Sequence, residues 1–254
     1  MKPLLAILAA LFLITSAAWG AEAASGPAVG GMLLPDLQHP GTAGAAMQWL
    51  VLVTVLSVAP AVAVMVTSFT RIIVVLGLLR QALASPQLPP NQVLFGLALF
   101  MTAVVMAPVY RDVHRDSISP YLAGKSDLPA AWAAGEKHLR AFMIRQVDAA
   151  GNAEEVYPFL DAELAKRKDL AWGDVPTLSL MPAFVISELK TAFMIGFRIY
   201  LPFVIIDMLV ASVLMSMGML MLPPVLISMP FKLLLFVLAD GWHLVVGTLM
   251  KSFG

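Results

Sequence analysis

Seven ionisable side chains lie within apolar runs where a lipid-facing helix would exclude them: Arg71, Glu188, Lys190, Arg198, Asp207, Lys232 and Asp240. In such surroundings a charge either forms a buried structural ion pair or lines a path for a polar substrate, and both readings stay open on residue type alone. Glu188, Lys190, Arg198 and Asp207 share the apolar stretch from Leu178 to Leu222. At roughly 2.5 to 3.5 kcal/mol per central charge they would oppose insertion by about 10 to 14 kcal/mol, whereas the Phe, Val, Ile and Leu among them favour it by only roughly 5 to 9 kcal/mol. With 100° per residue, Lys190 lies about 200° from Glu188 and Asp207 about 180° from Arg198, so several faces of this helix must meet protein or water. A hairpin folding at Pro223-Pro224 could bring Lys232 toward Asp207 or Asp240, with neighbouring chains supplying other partners. On either reading the charges call for an oligomer or partner subunits.

Methionine recurs at Met215, Met217, Met219 and Met221, directly before Pro223-Pro224. Unbranched and deformable, it could form a compliant seal at a hairpin tip, or simply fill gaps in an apolar hairpin. Enzymatic motifs do not survive inspection. Gly124-Lys125-Ser126 mimics the end of a phosphate-binding loop, but Ser119 stands where that motif requires glycine. His39, His114, His138 and His243 are scattered, and Glu154-Glu155 and Asp161/Glu163 read as solvated helix faces, so neither a metal site nor a catalytic carboxylate pair is expected and no cofactor is called for. No Gly-x-Ser-x-Gly element occurs.

The elements that position these residues follow from composition. The 254 residues are 60% hydrophobic and only 13% charged, against roughly 25% charged in soluble domains, so a water-soluble enzyme is disfavoured. Sixteen basic residues balance sixteen acidic ones, which removes nucleic acid as a partner, and the absence of cysteine removes disulfides, thiol catalysis and iron–sulfur clusters. Lys2, the apolar run Leu4 to Ile14 and small residues to Ala21 read as a cleavable signal peptide over 1–21, too short in its apolar part to cross roughly 30 Å of hydrocarbon. Residues 22–46, with five Gly and three Pro, read as a flexible exported tail.

Residues 47–110 read as a first helical hairpin. Met47 to Thr70 is uncharged and should bend at Pro60, and Val93 to Tyr110 supplies the second span beyond the breaker Ser85-Pro86-Gln87-Leu88-Pro89-Pro90. The connection carries Arg71 and Arg80 and no acid, which places it on the cytoplasmic side, in agreement with an exported N-terminus. Residues 111–177 hold nine basic and eleven acidic residues and read as a polar, extracytoplasmic helical insert. Helices are expected at Trp132 to Ala150 and, as a second candidate, Ala153 to Leu170. Residues 178–254 form the second hairpin, with Leu178 to Leu222 and Val225 to Phe253 as spans and Pro223-Pro224 as its breaker. The expected fold class is all-α: a multi-span membrane protein of kinked helical hairpins.

Four stretches together resemble the FliP family of flagellar type III export-gate proteins. They are Thr67-Ser68-Phe69-Thr70-Arg71-Ile72-Ile73-Val74-Val75, Pro89-Pro90-Asn91-Gln92-Val93-Leu94, Ser187-Glu188-Leu189-Lys190-Thr191-Ala192-Phe193 and the region from Leu201-Pro202-Phe203 to Gly241-Trp242. The resemblance covers nearly all of 48–110 and 178–250, and nothing is carried onto the leader, the tail or much of 111–177. It implies a bacterial inner-membrane protein at the flagellar basal body, with a large periplasmic portion. Several copies would pack with FliQ-like and FliR-like subunits and other export-apparatus membrane proteins into a helical, conical oligomeric channel that passes unfolded flagellar proteins. It implies no catalysis. It also implies that the methionine-rich stretch constricts the closed channel, with Met219 and Met221 matching the family pattern, Met217 beside them, and Leu220 replacing what is often another methionine. An injectisome-type homologue is the nearest alternative, although the leader favours the flagellar branch. An independent multi-pass transporter or ion channel is a further one, against which stand the lack of a visible inverted repeat and the small number of spans.

Overall fold

A computed structural model describes residues 43–84, 89–167, 170–219 and 222–254. The expected signal peptide, nearly all of the expected tail, residues 85–88, and Leu220 and Met221 lie outside the described residues.

Contacts along the chain divide it into two units, residues 1–57 and 58–254. The described part of the first unit is helical and belongs to α1 (Ala43–Met65). Its described side chains face outward, and its hydroxyls turn back onto their own helix, Thr54 to the carbonyl of Leu50 at 2.8 Å and Ser57 to that of Val53 at 2.7 Å. Such a helix offers lipid no unsatisfied polar group.

In the second unit α1 continues without interruption through Pro60, where the sequence predicts a bend, and stops at Met65. The break falls at Val66, Thr67 and Ser68 instead, where the Thr67 hydroxyl donates to the carbonyl of Val64 at 2.9 Å and accepts from the Phe69 amide at 3.4 Å. A side chain competing for backbone partners ends the helix more effectively here than proline does seven residues earlier. α2 (Phe69–Ala82) then buries Phe69, Arg71, Ile72, Val75, Leu76, Leu79 and Ala82, an i, i+3, i+4 pattern that marks one packed stripe. α3 (Asn91–Val113) leads through a π-helical turn at His114–Ile118 into α4 (Ser119–Leu122). α5 (Leu128–Ala149) opens on Asp127, whose carboxylate accepts from the Ala130 amide, with Pro129 in its first turn.

The second helix expected at Ala153 to Leu170 does not form. Two short 3₁₀ turns, Ala153–Phe159 and Leu164–Lys166, take its place. Pro158 removes a backbone donor mid-segment, and Gly151 at φ 67° has already turned the chain. α6 (Thr177–Ser216) runs 40 residues and is the spine of the unit: α2, α5, α7 and the first 3₁₀ turn all pack on it. α7 (Pro224–Leu238) returns along it, and α8 (Gly241–Lys251) departs at 65°. The single span expected from Val225 to Phe253 is therefore a bent pair. Asp240 takes a left-handed conformation at the break, φ 48°, and ring atoms of Phe236 occupy the space a side chain at Gly241 would need.

α6 carries two apolar clusters in succession. Near its start Leu180, Ala183 and Phe184 pack with Met106, Val109, Phe142, Met143 and Val147. Farther along, Ala192, Ile195 and Phe203 pack with Ile72, Val75, Leu76, Leu79, Phe236 and Leu249. Where α2 crosses, Gly196 permits the approach, since a Cβ there would overlap Leu78. Beyond Phe203 only Leu214 on α6 is buried. Among the described residues every regular element is helical. Asn91–Leu122 and Thr177–Ser216 are long and apolar enough to cross a bilayer, or four spans arise if Trp49–Met65 with Phe69–Ala82 and Pro224–Leu238 with Gly241–Lys251 each count as one.

Candidate functional site: a buried arginine node and a charged hairpin

Between the two apolar clusters lies a polar node centred on Arg71. The arginine is 1% exposed and Glu188 is wholly buried. Arg71 Nε donates to Glu188 Oε2 at 2.8 Å and Nη2 donates to Oε1 at 2.5 Å, the paired geometry that a planar guanidinium makes with a carboxylate. Nη2 also donates to Gln146 Oε1 at 3.1 Å, while Nη1 donates to the Ser252 carbonyl at 2.6 Å and the Ser252 hydroxyl at 3.0 Å. A guanidinium has five N–H groups, and all five are placed. The Phe253 ring covers the guanidinium with its centroid 4.1 Å from Cζ, and the Phe253 carbonyl accepts from Gln146 Nε2 at 3.2 Å. At the residue before Glu188, Asn152 Nδ2 donates to the Ser187 hydroxyl at 2.9 Å. The node thus fastens α2, α5, α6 and the segment after α8 at one point. Directional bonds there fix a register that apolar packing alone would leave free to slide.

A second charged group joins α6 to α7. Lys232, 2% exposed, donates to Asp207 Oδ2 at 2.6 Å, and the buried Ser228 hydroxyl donates to Oδ1 at 2.5 Å. Each carboxylate oxygen has its own donor, so the pair holds the hairpin legs together where apolar burial has run out. The remaining charged candidates stay apart. Lys190 is exposed and bonds Glu155 Oε1 at 3.0 Å, not Glu188. Among the described residues, Arg198 is exposed and its guanidinium bonds the Met194 sulfur at 3.8 Å, and Asp240 is exposed without a side-chain partner. Arg71, Glu188, Asp207 and Lys232 are therefore neutralised inside one chain. These four charges alone do not require an oligomer, contrary to the sequence reading, because the folded chain supplies the shielding expected from neighbours.

The tip of the hairpin is set by local chemistry. The Met219 amide donates to the Leu214 carbonyl at 3.0 Å and the Gly218 amide to the Met215 carbonyl at 3.0 Å, with Gly218 at φ 75°. This paired bonding is the Schellman termination, which needs a residue that tolerates the left-handed region, and it fixes where α6 stops. Pro223 and Pro224 then stand at the N-cap and first position of α7, where the missing amide of Pro224 costs nothing. Met215, Met217 and Met219 are exposed around this end.

Sequence reasoning picked out the charged residues and the methionines but missed Gln146, Ser252 and Phe253. They reach Arg71 from 75 and more residues away. The only signal available was the donor count of Arg71, which one carboxylate cannot exhaust.

Among the described residues the regular elements are all helical, and long apolar helices with ion pairs closed in the interior are the features of an integral membrane protein. The model of the FliP family matches residues 52–249. "Flagellar biosynthetic protein FliP" of Bacillus subtilis (strain 168) is 47% identical over 215 residues, covering 84% of this chain and 95% of that one. The protein of the same name from Pectobacterium carotovorum subsp. carotovorum is 50% identical over 208 residues, covering 82% of this chain and 78% of that one. That of Caulobacter vibrioides is 49% identical over 207 residues, covering 82% and 76%. The chain belongs to the FliP family.

Proposed function

We propose that this protein is a core channel subunit of the flagellar type III export gate, passing unfolded flagellar proteins across the bacterial inner membrane. It works as several copies packed with FliQ-like and FliR-like subunits and with other membrane proteins of the export apparatus. It moves chains without altering them. The insert 111–177 faces the periplasm, and the connection after α2 faces the cytoplasm.

One observation carries this reading. At 1.5 Å per residue α6 extends about 60 Å, twice the roughly 30 Å of a hydrocarbon core. Its last third, beyond Phe203, is mostly apolar and open on most sides, as is α7: Ile205, Met208, Leu209 and Val213 face outward, as do Phe231, Leu234 and Leu238. A helix too long for lipid and too greasy for water fits a shared protein assembly, with its methionine-rich end projecting into a common lumen. Deformable thioethers there close around varied cargo and around nothing.

Replacing Met219 and Met221 together by alanine is expected to let small solutes leak across the membrane while export of flagellar proteins continues. Dye or ion flux in intact cells reads the leak. Unchanged permeability would remove the gate from these residues.

A further inference from the structure

We infer that Arg198 of one copy forms an ion pair with Asp240 of the next copy, as a head-to-tail contact between neighbouring hairpins. The inference rests on the multi-copy reading above and names the contact that orients the copies. Arg198 on α6 and Asp240 at the α7–α8 break stand exposed among outward-facing apolar residues with no ionic partner in their own chain, among the described residues; Lys251, also exposed and without one, lies at the far end of α8. Phe197 and Leu201 flank Arg198; Val237, Leu238 and Trp242 flank Asp240. Bare charges on such a surface are unfavourable against lipid, and each sign lacks what the other supplies.

Register and direction make the two match. Asp207 faces Lys232, and Phe203 faces Phe236 with ring centroids 6.5 Å apart. Each step down α6 is thus matched by a step up α7, which brings Asp240 level with Ile199, next to Arg198. Asp207 points toward α7, and Arg198, nine residues earlier, is turned by about 180° from it. The cation therefore faces away from α7 at the height of the anion, which leaves each charge to a neighbouring copy. A head-to-tail contact of this kind can repeat from copy to copy.

The chain contains no cysteine, so introduced thiols are unambiguous within it. Because an arginine–aspartate pair holds its Cα atoms farther apart than the roughly 7 Å a disulfide spans, a short bis-maleimide is the appropriate bridge. Chains carrying R198C with one tag and D240C with another are produced together in cells making the full export apparatus, then treated in membranes. The expected product has twice the chain mass and carries both tags, and either variant produced alone gives no such product. In parallel, R198Q and D240N should each lower the yield of assembled complex about tenfold, and the double variant should be no worse than either single one. D240N is chosen because asparagine also tolerates the left-handed backbone at that position.

A complex containing several copies that yields no two-tag product, or equal cross-linking within each variant alone, would overturn this contact and leave the proposed function standing. Additive losses in the double variant would overturn it as well. A complex containing a single copy would overturn both.

Discussion

Replacing Glu188 by alanine is expected to destabilise the folded chain by about 3–5 kcal/mol, a large part of the 5–15 kcal/mol that a typical domain possesses. The loss comes from what remains. Arg71 would keep its charge in a site 1% exposed, with the partners of two N–H groups gone. Arg71→Lys should fare little better, because an ammonium offers three donors on a flexible stem where a planar fork meets Glu188, Gln146 and Ser252 together. Changing both partners to apolar residues, Arg71→Met with Glu188→Leu, should recover part of the loss by removing the stranded charge. Recovery stays incomplete because Gln146 and Ser252 still lose an acceptor role to Arg71. Thermal unfolding of the detergent-extracted chain checks all three variants, and wild-type stability for Glu188→Ala would contradict the role assigned to the node. By comparison, the exposed Lys190–Glu155 pair should be worth about 0–1 kcal/mol, so Lys190→Ala serves as a control within the same helix.

Asp207→Ala should produce the second large effect, about 2–4 kcal/mol, localised to the hairpin. It leaves Lys232 at 2% exposure without its carboxylate, while Ser228 keeps only the Val225 carbonyl. Beyond Phe203 little else joins α6 to α7, so the legs should separate while the clusters around α2 and α5 hold. Hydrogen exchange reads this directly: amides of α7 should lose protection and those of α2 should keep it. Uniform loss across the chain, or none in α7, would contradict it. Because the methionine-rich tip is carried on these legs, Asp207→Ala should also weaken the seal proposed at Met219.

Which parts were legible from sequence follows from the range of the interactions involved. Apolar runs and the charged block from 111 to 177 are local patterns, and α3, α5 and α6 fall close to where periodicity and composition put them. Proline was the less dependable sign. Pro60 lies inside an unbroken helix while Thr67, whose hydroxyl competes for the backbone, marks the real break. Pro158 did prevent a helix, helped by the turn at Gly151. The bend at Asp240 arises from an aspartate in a left-handed conformation beside a glycine pressed on Phe236, a tertiary contact with little local signature.

Charge partners show the same division. Lys232 with Asp207 was accessible because a double-proline hairpin restricts which residues can meet. Arg71 with Glu188 was not, since they stand 117 positions apart and nothing in either helix names the other. Gln146, Ser252 and Phe253 are ordinary residues on ordinary helical ends, conspicuous only once five donors are seen to converge. The sequence reading ran this span to Leu222 and put the stop at Pro223-Pro224, whereas α6 ends at Ser216 because Gly218 takes the left-handed turn that closes it.

The most direct measurement of whether this protein works as one of several copies in a shared conduit is the mass and composition of the complex extracted gently from membranes with a tag on this chain. The expected result is a particle containing more than one copy of this chain together with two further kinds of small membrane protein. A lone chain or a self-contained dimer, stable without those companions and conducting ions by itself in a pure bilayer, would contradict it.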